Sequence, residues 1–440
     1  ALEDLDHTGF EKIEPPKRRR ISYRMSDQEI CFVITRGASE VYDLLTHLTF
    51  LNIEANKIYK QLLDQDGETT FMWKELEKIV EKEAVLKGKE LDKAIWNLSV
   101  ILGRSYQETR ETYLSLEKTR DEKEGNNGLF RIIYQLGKRV EREHENPDGE
   151  LIFIFTPAFK ELIGQQQIGR IWAQNIRDNL IELGITKRPL HIISANMHSV
   201  KNILFAYAYA EKNKKKKSPG DLYEFITDIR AEQTAITEFA SEHGLYEFVD
   251  VSGANIDYQI IDTAKLNKLK MHPKIKCGVK KGDKEQPIIL VFDYAFGDQA
   301  FEVMDEILNP IEIDGESHNL NVKSISVMGK AGILPGVKGD IMLATAHVIE
   351  GTANNYIVDN ELVAGDFKDA PSVYVGPILT VLGTSLQNKD VLEKFQTTSW
   401  KAIGLEMEGG HYQRAISAAI IKGHISKDVK TCYAYYASDN

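Results

Sequence analysis

The 440-residue chain carries 55 Lys and Arg against 66 Asp and Glu, a net charge of −11, which argues against nucleic acid as a partner because such binding neutralises phosphates with clustered cations. A hydrophobic fraction of 42% beside 28% charge supports a large buried core and excludes wholesale disorder, while no apolar run reaches the roughly 18 residues that would cross a membrane. Three scattered cysteines, Cys31, Cys277 and Cys432, form neither a disulfide framework nor a Cys-x-x-Cys metal site, so a reducing cytoplasm is the expected location.

At about 100–200 residues per domain the length predicts two or three domains. The chain opens on Ala1 rather than Met, so its natural start is expected upstream, and the charges in ALEDLDHTGF leave no apolar signal-peptide core. Lys17-Arg18-Arg19-Arg20 after Pro15-Pro16 reads as a solvated tail, and Lys212 with Lys214 to Lys217 before Ser218-Pro219-Gly220 as a solvated loop; either could instead touch a phosphate or a partner. Ser26-Asp27-Gln28-Glu29 has capping-box form and predicts a helix start, with apolar residues recurring at helical spacing through Val41, Leu44, Leu45, Leu48 and Leu51. Stretches at Trp73–Val85, Glu90–Leu102 and Tyr106–Glu117 each pair a charged face with an apolar one. Residues 1–145 are therefore expected to form a helical domain.

The character changes after Asn146-Pro147-Asp148-Gly149, and a boundary near 146 opens a second domain running to 440. Leu151–Phe155 is a short continuous apolar run of the kind buried on both faces of a sheet. Helix and strand patterns then alternate: helix Gly169–Leu183, strand Leu190–Ile193, a helix from Ser199, strands near Phe248–Val251 and at Ile288–Phe292, and helix Ala300–Leu308. Strands Val322–Met328 and Asp340–Ala344, helix Tyr412–Ile421 and strand Cys432–Ala437 follow. Such alternation predicts a layered α/β domain with a mixed, largely parallel sheet. Neither a Gly-x-Gly-x-x-Gly after a strand nor a Gly-x-x-x-x-Gly-Lys-Ser/Thr is present.

Ligands of α/β sheets bind at the carboxyl ends of strands, which singles out three places. Gly329-Lys330-Ala331-Gly332-Ile333-Leu334, ahead of Lys338-Gly339-Asp340, is a small-residue turn that lets backbone approach a ligand, though it also reads as a plain structural turn. Glu406-Met407-Glu408-Gly409-Gly410 sets two carboxylates on one side of an extended chain, where burying both is costly without hydroxyl or cationic partners. Such acids could hold the vicinal hydroxyls of a sugar and stabilise positive charge on its ring, or simply cap the helix that follows. Ser438-Asp439-Asn440 follows a strand; its Asp could act as a general acid in a water-poor cleft, or form a turn.

In this order, Gly-x-Ala-Gly-x-Leu, Gly-Asp opening a strand, Glu-Met-Glu-Gly and Ser-Asp resemble the nucleoside phosphorylase and nucleosidase superfamily. The similarity is marked from 329 onward and weaker back to about 186, through Ser194–Ser199 and Ala295-Phe296-Gly297-Asp298. It implies a nucleoside phosphorylase-like α/β/α domain behind the helical one, a homo-oligomer, and a small purine nucleoside or nucleotide as partner. It further implies that Met407 and Glu408 contact the ribose, that Gly329, Lys330, Ala331, Gly332 and Ser438 line the substrate site, and that Asp439 hydrogen-bonds or protonates the purine at N7. Cleaving the N-glycosidic bond builds positive charge on the ribose and negative charge on the base; Glu408 would support the first and Asp439 relieve the second.

Two positions depart from the family. Lys330 stands where members carry a small or hydroxylic residue near the nucleophile, and could bind an anion or point to solvent. His198 stands where hydrolytic members use a Glu to activate water, and could be that base or a structural hydrogen-bonder. No counterpart of the family's phosphate-binding Arg is evident, so hydrolysis is favoured over phosphorolysis; no metal or cofactor is expected, and phosphate stays open as a co-substrate. The long N-terminal extension is like that of AMP nucleosidases, which makes a phosphorylated substrate plausible. The alternatives are a phosphate-dependent purine nucleoside phosphorylase and a non-catalytic purine nucleotide sensor. The family continues past its Ser-Asp motif through a helix that closes the base pocket, so residues beyond Asn440 are expected.

Overall fold

The computed structural model describes residues 7–13, 21–82, 85–117, 126–146, 149–156, 167–213, 220–276, 278, 286–368, 370, 372–383, 393–395, 397 and 401–439. Contacts divide the chain into two compact units, one of residues 10–32 and 44–157, the other of residues 1–9, 33–43 and 158–440.

The first unit begins with an antiparallel meander, β1 (Glu11–Ile13), β2 (Ser22–Arg24) and β3 (Ile30–Phe32), with Tyr23 buried at its centre. The helix expected from Ser26 is not there. Ser26 Oγ instead accepts from Gln28 N at 3.2 Å within the turn joining β2 to β3, the local side-chain bonding by which Ser competes with helix. Helix α1 starts at Gly37 and runs to Tyr59; its residues from 44 onward lie in this unit with α2 (Phe71–Lys82), α3 (Gly88–Leu102), α4 (Tyr106–Glu117) and α5 (Gly128–Glu145). Their apolar faces meet in one core of Ile58, Leu62, Trp73, Leu76, Ile95, Leu98 and Phe130, where Trp73 stacks on Tyr134 at 5.5 Å. Leu151–Phe155 forms no strand: the run is exposed, Ile152 at 71% and Ile154 at 84%. A continuous apolar run carries no period, so by itself it specifies neither strand nor burial.

The second unit is α/β; among the described residues its mixed sheet runs in the order Asn355–Ile357, Ile341–Ile349, Val373–Thr380, Gly404–Glu406, Val322–Ile333, Leu190–Ser194, Ile288–Phe292, Tyr258–Asp262, Leu245–Phe248, with Lys430–Asp439 paired to both Val322–Ile333 and Ile341–Ile349. Its elements are α6 (Gln167–Glu182), β4 (Leu190–Ser194), α7 (Met197–Lys201), a π turn at Asn202–Ala206, α8 (Tyr207–Lys212), α9 (Leu222–Ile229) and α10 (Gln233–Ser241). Next come β5 (Leu245–Phe248), β6 (Tyr258–Asp262), β7 (Ile288–Phe292), α11 (Gln299–Ile307), the small hairpin β8 (Ile311–Ile313) and β9 (Glu316–His318), then β10 (Val322–Ile333) and β11 (Ile341–Ile349). The chain finishes through β12 (Asn355–Ile357), β13 (Val373–Thr380), β14 (Gly404–Glu406), α12 (Gly409–Lys422) and β15 (Lys430–Asp439).

β7, β4, β10 and β15 run parallel to one another in that order, and β11, β13 and β14 form a second parallel set. The two sets meet antiparallel, β14 against β10 and β11 against β15. Trp172 on α6, Phe292, Met304 on α11, Ile325 and Ile416 on α12 are fully buried together in the main core, with Trp172 edge-on to Phe292 at 5.3 Å. Beside it Lys201, 2% exposed, donates to Thr237 Oγ1 at 2.6 Å and Glu247 Oε1 at 3.1 Å. The expected turn at Gly329–Gly332 is strand: β10 continues to Ile333, with a register shift against β15 at Ala331–Gly332, opposite Ala437–Asp439. Among the described residues no helix is long and apolar enough to cross a membrane.

Candidate active site

Because β14 lies antiparallel to β10, with Gly332 opposite Leu405, the chain from Leu405 to Glu408 travels back along β10 toward Gly329. On the other flank Tyr435 of β15 is in register with Gly329, and a Cβ at Gly329 would lie 3.2 Å from its ring. A Cβ at Gly409 would strike the Tyr435 hydroxyl and approach His347 Nδ1 to 2.9 Å. Glycine at both positions lets one aromatic ring pack across two strands and the start of α12.

Glu406, 4% exposed, is the hub of this cluster. Its carboxylate accepts from Glu408 N at 2.7 Å, from Gly409 N and from Thr380 Oγ1, and its Oε1 lies 3.5 Å from His347 Nδ1. Thr380 Oγ1 in turn accepts from Gly410 N at 2.9 Å. Burial alone would raise the Glu406 pKa, but His347, Thr380 and the Gly409 N–H hold it below the ordinary value, so the group is an anion. Its lone pairs are spent on the first turn of α12, the helix-capping alternative read from the sequence.

Glu408 is different. Partly buried, it accepts from Gly297 N at 2.9 Å, and its pKa is pushed up to about 8, first by burial and then by the charge of Glu406, with the Gly297 and Met407 N–H groups pulling the other way. Gly297 sits at φ +57 in the turn after β7, and a Cβ there would lie 3.8 Å from Met407 Cε. Beside them Tyr412 OH and Ser194 Oγ, the last residue of β4, are 3.0 Å apart. Burial raises the Tyr412 and Tyr435 hydroxyls well above their ordinary values, so both stay protonated. Two adjacent acids, one fixed as an anion and one poised near neutrality, face a rim of hydroxyls and backbone amides. That arrangement can bind sugar hydroxyls and favour a cationic ring.

The structure thus sets Met407 and Glu408 beside Gly297, and Gly329 against the Tyr435 ring. Ala331 is buried and Gly332 half-buried on the same strand; Lys330 is exposed on the face opposite Gly329 and Ala331, and His198 is exposed in the first turn of α7. Ser438 is half-buried. The Asp439 backbone ends β15 opposite Gly332, hence abreast of Leu405. The Asp439 side chain lies outside the described residues, as do Asn440 and Cys277. Among the described residues no grouping of His, Cys, Asp or Glu could hold a metal ion.

Sequence reading missed Thr380, His347 and Ser39. Thr380 and His347 sit among apolar residues of β13 and β11 and reach Glu406 only through strand pairing. Ser39 belongs to α1, yet it exchanges hydrogen bonds with Asp298. No local pattern marks it.

The chain belongs to a family of unknown function, DUF6909, whose profile matches residues 221–440. No curated protein matches the sequence. Among solved structures, futalosine hydrolase of Helicobacter pylori is similar at 12% identity and TM-score 0.33, covering 58% of this chain and 88% of that one. Helicobacter pylori MTAN is similar at 14% identity and TM-score 0.32, covering 57% and 89%. AMP nucleosidase from Bacteroides thetaiotaomicron is similar at 12% identity and TM-score 0.28, covering 61% and 87%.

Proposed function

We propose that this protein is an N-glycosidase cleaving a purine nucleoside or nucleotide, by hydrolysis rather than phosphorolysis, with Glu408 holding the ribose and Asp439 as the acid on the base. The observation that carries this reading is the Glu406–Glu408 pair: a buried, fully hydrogen-bonded anion next to a carboxyl held near neutrality at the carboxyl end of β14. A reaction that builds positive charge on a ribose ring gains from a fixed negative charge close by, and the second carboxyl is available for the ribose hydroxyls. Hydroxyl donation favours the ionised form of Glu408, so substrate binding draws its pKa down as the cationic ring develops. Met407 supplies an apolar wall. Asp439, at the end of a strand in register with Gly332, would give its proton to the departing base, and His198 is the residue proposed to take a proton from water.

The test is to incubate the full chain with adenine and guanine nucleosides and nucleotides and follow free base by chromatography. Asp439→Asn and Glu408→Gln are each expected to cut release by about 10²–10⁴-fold, the range for a positioned acid or a transition-state charge. Tight purine binding without turnover, unchanged in Asp439→Asn, would establish the sensor instead.

A further inference from the structure

The turn Phe296-Gly297-Asp298 follows β7 and opens α11, the place in an α/β unit where backbone N–H groups ordinarily receive an anion. Here those donors already have acceptors from the chain itself. Phe296 N donates to Gln299 Oε1 at 3.1 Å, Gly297 N to Glu408 Oε1 at 2.9 Å and Asp298 N to Ser39 Oγ at 2.9 Å. Gln299 N and Ala300 N close onto Phe296 O and Gly297 O at 3.2 and 3.1 Å. Ser39 N donates back to Asp298 Oδ1 at 2.9 Å, so Ser39 and Asp298 clasp each other reciprocally, and Ser39 is buried in doing so.

Neighbouring residues of the segment 33–43 pack into the same unit. The Arg36 guanidinium lies 5.7 Å over the Phe296 ring, a Cβ at Gly383 would lie 2.9 Å from the Tyr42 ring, and Asp43 is buried. Glu40 Oε2 accepts from Thr35 N and Arg36 N at 3.0 and 3.1 Å, so the amides leading into α1 are also satisfied by the chain's own carboxyl.

We propose that residues 33–43 are a specificity element: Ser39 occupies the turn's outermost donor and fixes the Asp298 carboxylate beside it, closing the site to inorganic phosphate so that water takes the ribosyl group. This rests on the N-glycosidase reading for its chemistry. The water oxygen bonds to C1′ as the C1′–N9 bond breaks; the base leaves with the bonding pair and gains a proton, the water loses one, and the products are free base and ribose. Phosphate entering the turn would have to displace Ser39 and face the like charge of Asp298.

The inference is tested by the ³¹P line width of inorganic phosphate mixed with the full chain, and by the products formed from purine nucleosides with and without phosphate. With the wild type the phosphate line stays as sharp as in buffer, ribose is the sugar product, and phosphate changes the rate by less than about twofold. Ser39→Ala strips the Asp298 N–H of its acceptor, and is expected to broaden the phosphate line and make base release phosphate-sensitive. Asp298→Asn, which exchanges the carboxylate for an amide, gives the same result should Ser39→Ala not fold by circular dichroism. A broadened wild-type line, or ribose 1-phosphate among the products, overturns the proposal, as do folded variants whose lines stay as sharp as the wild type's. Absence of base release from every nucleoside sinks the N-glycosidase reading alone, because the phosphate line needs no turnover.

Discussion

Glu406 and Glu408 stand two residues apart at the end of β14, and the backbone N–H of Glu408 donates to the Glu406 carboxylate at 2.7 Å. The first acid thereby holds the second in place while its charge discourages the second from ionising. One residue sets both the geometry and the protonation of its neighbour.

Replacing Glu406 by Gln keeps the shape but puts an amide where three donors converge. The expected loss is about 2–4 kcal/mol of unfolding free energy, the scale for breaking a buried charged network. Urea denaturation of the variant measures it; a midpoint equal to the wild type's would mean that Glu406 does not organise the start of α12.

The pH dependence follows from Glu408. Its folded pKa of about 8 stands above the ordinary 4.5, so between those values the folded protein keeps a proton that the unfolded chain releases. Stability from that proton is full below 4.5 and is lost as pH rises toward 8, at about 1.4 kcal/mol per pH unit at most. Glu406, with its depressed pKa, acts in the opposite sense and contributes stability that is lost on acidification. Glu408→Gln cannot ionise, so its unfolding free energy should gain on the wild type's steadily between pH 4.5 and 8. Parallel curves would show that Glu408 does not titrate in that window.

At Gly409 an added methyl meets the Tyr435 hydroxyl and the His347 ring, both held in the sheet. Gly409→Ala is expected to cost at least about 1–3 kcal/mol by overpacking, read as a lowered thermal midpoint. The same melting temperature as the wild type would mean that the ring can move aside.

Away from the site, Lys201→Met leaves Glu247 with Gln259 as its remaining side-chain partner. Because Lys201 is buried while Glu247 is partly exposed, a loss of about 1–3 kcal/mol is expected, less than for a wholly buried pair. Adding Glu247→Gln should recover part of that loss in a double-mutant cycle. Strictly additive losses would mean that the two residues do not interact.

The strand Ile288–Phe292 was legible because a doubly buried strand is a bare apolar run, the Val322–Met328 part of β10 because its apolar residues alternate with polar ones, and the helices from Trp73 to Glu117 because two-faced helices repeat at 3.6 residues. The same rule failed at Leu151–Phe155, where the apolar run is exposed. At Gly329–Gly332 glycines that read as a turn are instead a strand carrying no side-chain bulk where Tyr435 crosses it. The pairing of Glu406 with Thr380 and His347 was out of reach, since it depends on which strands become neighbours. The Ser39–Asp298 clasp was hidden for the same reason: its partners are separated by 259 positions in sequence.

β15 fills the gap between β10 and β11, using residues 430–439 to complete a sheet whose other central strands precede it in the chain. During synthesis the roughly 80 residues from Ile349 to Lys430 take on the order of 4–16 s to add at about 5–20 residues per second. Throughout that interval β10 and β11 each present an unpaired edge rich in Val, Ile and Met, a template for wrong pairing with another nascent chain. Closing the sheet therefore waits on the last strand of the chain, so the pairing that joins its two parallel sets at β11 and β15 is among the last contacts to form.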